Sequence, residues 1–161
     1  MKIEKKLNEL GFVVPIPPRK HAGNYIDSVL VGNLLFLGGN IGRFEGETLK
    51  YAGKVGDTVT LEQAYEMARN CALNHLAKIK AALGDLDLVE RIVKITGYVN
   101  VAPGFRDMPK VIDGESDLLV QLWGERGQHA RAAVGVSSLG ADAPVETEAI
   151  VLVKKQDSKT T

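Results

Sequence analysis

The stretch Gly127–Ala149, GQHARAAVGVSSLGADAPVETEA, reads as two strands about a polar turn. Over residues 129–136, Ala130, Ala132, Val134 and Val136 alternate with His129, Arg131, Ala133 and Gly135. A period of two residues is the mark of a strand with one buried face. Residues 145–153 repeat it: Val145, Thr147, Ala149, Val151 and Val153 share one face, Glu146, Glu148 and Ile150 the other. With the apolar faces on a core, Arg131 and Glu146 stand on the opposite faces of their strands, beside small residues. A guanidinium flanked by alanine and glycine has room for a planar anion, and arginine grips a carboxylate through two parallel hydrogen bonds. A hairpin centred on Gly140-Ala141 would pair Gly135 with Glu146 and Arg131 with Ile150. That sets the arginine roughly 13 Å from the glutamate, at ~3.3 Å per residue. The two then either serve separate purposes or face one cavity from different sides, across a subunit boundary. The plainer alternative is a pair of solvated outer-face charges.

Outward from this stretch, 161 residues suit one domain. Twenty basic and twenty acidic residues cancel to zero net charge, so the chain lacks the basic field expected of a nucleic-acid binder. A single cysteine, Cys71, excludes an internal disulfide and fits a reducing compartment. No apolar run reaches the ~18 residues of a membrane span. Met1–Leu10 is charged rather than signal-like, so a cytoplasmic location is expected.

Ile3, Leu7 and Leu10 give a weak helical spacing that Gly11 can end, and Pro15, Pro17 and Pro18 impose an extended connector. Residues 1–20 thus read as an N-terminal extension, either loosely docked or functional. Val29–Leu37 gives two strands joined at Gly32-Asn33, and Gly38-Gly39 ends the second. Residues 43–57 are polar and glycine-rich, as a loop is. Thr60 opens the clearest helix, with a T-L-E-Q capping box, a stripe through Leu61, Ala64, Ala68, Ala72, Leu76, Ile79 and Leu83, and Gly84 as its cap. Cys71 and His75 flank the stripe as packing residues. Leu88–Val101 is a strand, with Ile92, Lys94, Thr96 and Tyr98 on one side and Val93, Ile95, Gly97 and Val99 on the other. A second helix falls within 107–124, with Pro109 in its first turn and Ile112, Leu119, Leu122 and Trp123 buried. Residues 154–161 form a polar, flexible tail. The order β-β-α-β-α-β-β predicts an α+β fold: one sheet with two helices on one face. The other face, expected to carry Ala133, Gly135 and Ile150, calls for cover by another subunit of a closed oligomer.

Three stretches together resemble the Rid/YjgF family, also called the L-PSP endoribonucleases, whose founding activity is imine/enamine deamination. R-A-A-V-G-V-S-S-L-G followed by V-E-T-E-A-I is similar to that family's C-terminal signature. N-Y-I-D-S-V-L-V-G-N-L-L-F-L-G-G-N at 24–40 and V-K-I-T-G-Y-V-N at 93–100 match its upstream pattern, in order, across a core of residues 22–153. The resemblance implies a chorismate-mutase-like fold, a homotrimer and a ligand cleft at each subunit boundary. It places the carboxylate-binding arginine at Arg131, the water-positioning glutamate at Glu146 and a site tyrosine at Tyr25. Gly38, Gly39, Ala133, Phe105 and Asp113 are the further substrate-binding candidates. The chain departs from the pattern in several places. Gly38 lacks the family's hydroxyl, Ala133 its cysteine, Asp113 stands for an asparagine, and Leu139-Gly140 for Leu-Pro.

The three histidines show no metal-ligand spacing and no phosphate loop is present, so neither a metal nor a cofactor is expected. The reading is an enzyme that deaminates reactive enamine and imine intermediates of amino-acid metabolism. Arg131 fixes the carboxylate of the 2-imino acid and Glu146 orients a water. The alternative is a non-catalytic trimer that binds small carboxylates such as 2-keto acids, which survives the loss of the hydroxyl and thiol more easily. An RNA-cleaving role is the least favoured, given the charge balance and few aromatics.

Overall fold

In the computed structural model, residues 1–17, 21 and 23–155 are described. The chain runs α1 (Lys2–Glu9), β1 (Ser28–Val31), β2 (Leu34–Asn40), α2 (Leu61–Leu83), β3 (Val89–Asn100), α3 (Met108–Trp123), β4 (Ala130–Val136) and β5 (Val145–Val153). The strands form one mixed sheet in the order β1-β2-β5-β3-β4. All neighbours are antiparallel except β3 and β4, which are parallel. Helix α2 spans 23 residues and starts as its sequence demands. The Thr60 side chain accepts from Gln63 N at 3.1 Å and Gln63 returns a bond to Thr60 N at 3.0 Å. Gly84 caps its other end in the left-handed region, φ 83°. Helices α2 and α3 cover one sheet face. They approach so closely that a side chain at Gly114 would overlap the Tyr65 carbonyl. The core lies between them and the inward residues of β2, β3 and β5, such as Leu35, Ile95, Val99, Val145 and Val151.

The strand pairing corrects the hairpin. β4 and β5 are not neighbours, because β3 lies between them. Ile95 faces Arg131 on one side of β3, and Tyr98 faces Glu146 on the other. The faces of β5 are as expected, with Val145, Thr147, Ala149, Val151 and Val153 buried. Those of β4 are reversed. Arg131 and Ala133 point to the helix side, where Ala133 packs on the core, while Val134 is 41% exposed on the open side. Small residues at 133 and 135 let α3 lie close to this edge strand: a Cβ at Gly135 would touch Val101 at 3.1 Å and Met108 at 3.7 Å. In β3 a register shift between Ile92 and Lys94 puts Ile92 on the core side together with Ile95.

The N-terminal segment is no loose appendage. Ile3 and Leu7 are buried in the main core, and Asp87 accepts from Lys2 N at 2.7 Å and Ile3 N at 2.9 Å. Burial raises the Asp87 pKa, but those two N–H groups and the Met1 amino group outweigh it and hold the carboxyl at about 2. Phe12 lies under the Arg69 guanidinium, 5.0 Å from its centre. The sheet thus has three helices rather than two. His75 is buried as expected but has a partner that spacing did not reveal, the equally buried Glu115 of α3, 2.7 Å from Nδ1. Trp123 Nε1, for which a hydrogen-bond partner was expected, has none among the described residues. No described helix is long and apolar enough to cross a membrane, and the expected flexible tail beyond Lys155 lies outside the described residues.

Candidate functional site

Where β2 meets β5 the backbone is cut back to Gly38-Gly39, and Glu146 uses the space. A Cβ at Gly39 would stand 2.7 Å from Glu146 Oε1, so the glycine lets the carboxyl lie across the strand. Glu146 is partly buried and has no hydrogen-bond partner among the described residues. Burial pushes its pKa up, the Glu148 carboxylate adds to this, and Lys78 opposes it. The carboxyl lines a cavity of about 490 Å³ together with Tyr25, Gly39, Asn74, Lys78 and Arg43. Tyr25 is half exposed, its ring 4.8 Å from that of His21.

Beneath the cavity Lys78 of α2 is almost fully buried. Its ammonium donates to Gly38 O at 2.9 Å and Gly39 O at 3.3 Å, and lies 3.2 Å from Asp27 Oδ1. Two carbonyl hydrogen bonds and the ion pair with Asp27 together fix the glycine pair and the loop before β1. The rim is held by amides. Asn40 Oδ1 accepts from Gly42 N at 3.1 Å and from Asn74 Nδ2 at 3.3 Å, and Asn74 Nδ2 donates to Arg43 O at 2.9 Å.

Arg131 lies elsewhere. Its guanidinium is on the helix side of β4, with Nη1 2.7 Å from Asp113 Oδ1 and 3.1 Å from Ser116 Oγ, and Nη2 3.2 Å from Pro109 O. The room expected beside it for a planar anion is taken in the single chain by Asp113, on α3 above it. Ser116 also meets His129 Nε2 at 2.9 Å. Within one chain Arg131 and Glu146 are on opposite faces of the sheet, two strands and three residues apart. Of the other candidates, Gly38 borders a shallower groove on the open face beside Thr96 and Glu148. Phe105 packs against Gly56, and Ala133 against the core. The structure brings Tyr25, Gly39 and Glu146 together, groups Arg131 with Asp113, and joins neither set to Phe105.

Asp27, Lys78, Asn74 and Arg43 were not singled out by sequence. One signal was present: Asn70, Asn74 and Lys78 recur every four residues on α2, a polar stripe on a helix otherwise rich in alanine and leucine. All three are buried. Cys71 is inert here, fully buried with its thiol pKa pushed well up by burial and the Glu115 charge. Among the described residues no three His, Cys, Asp or Glu converge as a metal would require.

The family model described as "YjgF/chorismate mutase-like, putative endoribonuclease" matches residues 6–144. Protein TCP17 of Trypanosoma cruzi is 37% identical over 152 residues, 93% of either chain. The crystal structure of Atu1372 from Agrobacterium tumefaciens, a protein of unknown function, superposes with a TM-score of 0.87 at 41% identity, covering 94% of this chain and 92% of that one. A crystal structure from Shewanella oneidensis, titled as a "putative endoribonuclease", superposes at 0.89 with 28% identity, over 95% and 100%. Strands β1 to β4, the two covering helices and the glycine pair fall within the matched residues, and the chain belongs to the Rid/YjgF family, with its chorismate-mutase-like α+β fold.

Proposed function

We propose that the chain is a deaminase that hydrolyses 2-imino and enamine acids arising in amino-acid metabolism. The observation that carries this reading is Glu146: a partly buried carboxyl with a raised pKa and no hydrogen-bond partner among the described residues, lying over a glycine in a cavity that also holds Tyr25. A base of that kind holds a water and takes its proton as oxygen bonds to the imine carbon. The C=N π electrons move to nitrogen, which takes that proton back from the carboxyl to give a carbinolamine. The carboxylate then takes the carbinolamine hydroxyl proton and passes it to nitrogen, the C–N bond breaks as the C=O bond forms, and ammonia leaves the 2-oxo acid. Positioning supplies most of the help that so labile a bond needs.

The open sheet face supports a homotrimer as the working form. Val29, Phe36 and Val134 are each more than two-fifths exposed there, a patch suited to burial between copies. In such an assembly the β4 edge of one copy can face the Glu146 cavity of the next, which is the route by which Arg131 would reach it. Sedimentation should show trimers at micromolar concentration. A stable monomer would remove the shared-site arrangement.

A second reading, a non-catalytic binder of small carboxylates, is favoured by one feature. Gly38 offers no hydroxyl although a Cβ there would fit, with its nearest neighbours at 3.5 and 3.6 Å. The two readings separate on ammonia release from 2-iminobutanoate generated in situ. The wild type should accelerate it and Glu146→Gln should not, while binding of 2-oxobutanoate persists in both. If the wild type binds but does not accelerate hydrolysis, the binder reading stands.

A further inference from the structure

The chain enters β5 through a turn that its own residues do not favour. Ala141 and Asp142 are the described non-glycine residues with positive φ, at 56° and 54°. An L-residue is disfavoured there, and two in succession persist only where their surroundings over-determine them. The turn is not remote from the site, because Gly140 and Ala141 line the same cavity as Glu146. Three consecutive carbonyls hold it down. Asp142 O accepts from Gly53 N at 2.7 Å, Ala143 O from Asn100 Nδ2 at 3.2 Å and Pro144 O from Asn100 N at 2.9 Å. Asn100 Nδ2 also reaches Asp142 Oδ1 at 3.3 Å, and Asn100 Oδ1 accepts from Lys54 Nζ at 2.8 Å. The same ammonium donates to Ser137 O, on the chain that leads into the turn. With its own carbonyl accepting from Val55 N at 2.8 Å, Asn100 has every polar group engaged at 0% exposure. An apolar residue would sit at the end of β3 with less desolvation cost but could not brace a turn. Glu146 follows the last braced residue, Pro144, by two positions.

We propose that Asn100 is a positioning residue of the Glu146 cavity: it holds the 140–144 turn, and through it sets both the cavity wall at Gly140-Ala141 and the place of the Glu146 carboxyl. This rests on the reading of Glu146 as the acting carboxyl. Asn100 does not itself line the cavity; it acts through the turn. Without the brace the turn relaxes out of the left-handed region, and the wall beside the carboxyl admits water. Burial is the main cause of the raised Glu146 pKa, so a better hydrated carboxyl titrates lower.

Two uncharged replacements in the full chain test this, and both leave Glu148 and Lys78, the charges acting on Glu146, in place. Asn100→Leu removes every side-chain bond of the brace. Asn100→Thr keeps one hydroxyl donor and suits a strand. The Glu146 carboxyl is titrated by carbon-13 NMR well below each melting temperature, and hydrolysis of 2-iminobutanoate is followed alongside. Asn100→Leu should lower the Glu146 midpoint and cut kcat about tenfold or more with KM within about twofold, because a shift of about 1 Å at the reacting group falls on the chemical step. Asn100→Thr should lie between it and the wild type in both readouts. A folded Asn100→Leu whose Glu146 midpoint equals or exceeds that of the wild type overturns the proposal and leaves Asn100 a brace of the fold alone. If Asn100→Leu does not fold, Asn100→Thr decides on the same midpoint: lowered supports the proposal, unmoved overturns it. A wild type that hydrolyses no imine overturns the deaminase reading instead, and the titration still decides the positioning role.

Discussion

Glu146 and Arg131 sit on the two strands that flank β3, yet they are held in opposite ways. Glu146 is on the open face with no counter-ion in contact among the described residues, and its proton affinity rises through burial. Arg131 is on the helix face in an ion pair with Asp113, whose side chain is 46% exposed. The first is a charge kept unpaired where water and a ligand can reach it; the second is a charge neutralised at a helix–strand junction. An unpaired, partly buried ionisable group is a stability cost that function can explain, whereas a paired one at a surface needs no such explanation.

The largest expected effect tests how the two regions are supported. Lys78→Met removes the buried ammonium that holds Asp27 and the Gly38 and Gly39 carbonyls. It should cost about 2–4 kcal/mol in urea denaturation, since it leaves buried polar groups unpaired. Asp113→Asn, at the half-exposed pair with Arg131, should cost under about 1 kcal/mol. Equal costs would break the contrast, because both regions would then be structural to the same degree.

Next comes the glycine pair. Gly39→Ala places a methyl against Glu146 Oε1, the far end of a flexible side chain, so the carboxyl moves and the fold does not. Imine hydrolysis should fall tenfold or more, because misplacement by about 1 Å can cost ~100-fold in rate. The melting temperature should change by only a few degrees. Gly38→Ser should fold normally, its Cβ in ordinary contact with the Asp27 carbonyl, and restore a hydroxyl near the site. A several-fold rise in hydrolysis in the Gly38→Ser variant would tie the weak point of the site to that hydroxyl; no rise would place it elsewhere.

The elements most legible in the sequence were those fixed by local chemistry. The Thr60 capping box, the Gly84 cap, the Gly32-Asn33 turn and Pro109 in the first turn of α3 all lie where the residues require. Pairing across the sheet was not legible. Strands β4 and β5 follow one another in the chain, so a hairpin was the simplest register, and nothing local says that β3 inserts between them. The β4 face defeats a reading from alternation because alanine and glycine carry little preference. The polar phase rests on His129 and Arg131, and Arg131 turns inward to meet Asp113, eighteen residues earlier. Glu146, Tyr25 and Gly39 were legible through the family resemblance and do share a cavity. Arg43 and Asn74, which line the same cavity, were not, since the hydrogen bonds that hold them are tertiary and no short motif encodes them.

The smallest effect is a shift in pH dependence, and it separates the two regions by sign. Glu146 must be ionised to act as a base, so hydrolysis should fall as pH drops through its folded pKa, which lies above the ordinary 4.5. Glu148→Gln removes the carboxylate that adds to the rise, and should move this acid limb to lower pH. A shift of the limb in Arg131→Gln would place the guanidinium at the Glu146 cavity of a neighbouring copy, whereas an unmoved limb would leave it paired with Asp113 on the other face. Stability obeys the same linkage. With the folded pKa raised, the folded state binds more protons than the unfolded state between 4.5 and that pKa, so Glu146 progressively destabilises the protein as pH rises through this window. Glu146→Gln should therefore melt at about the same temperature as wild type below pH 4.5 and at a higher temperature near neutrality, where the buried charge has been removed. A Gln variant that melts lower than wild type at neutral pH would show that the carboxylate is satisfied in the folded protein, and Glu146 would join Arg131 as a structural charge.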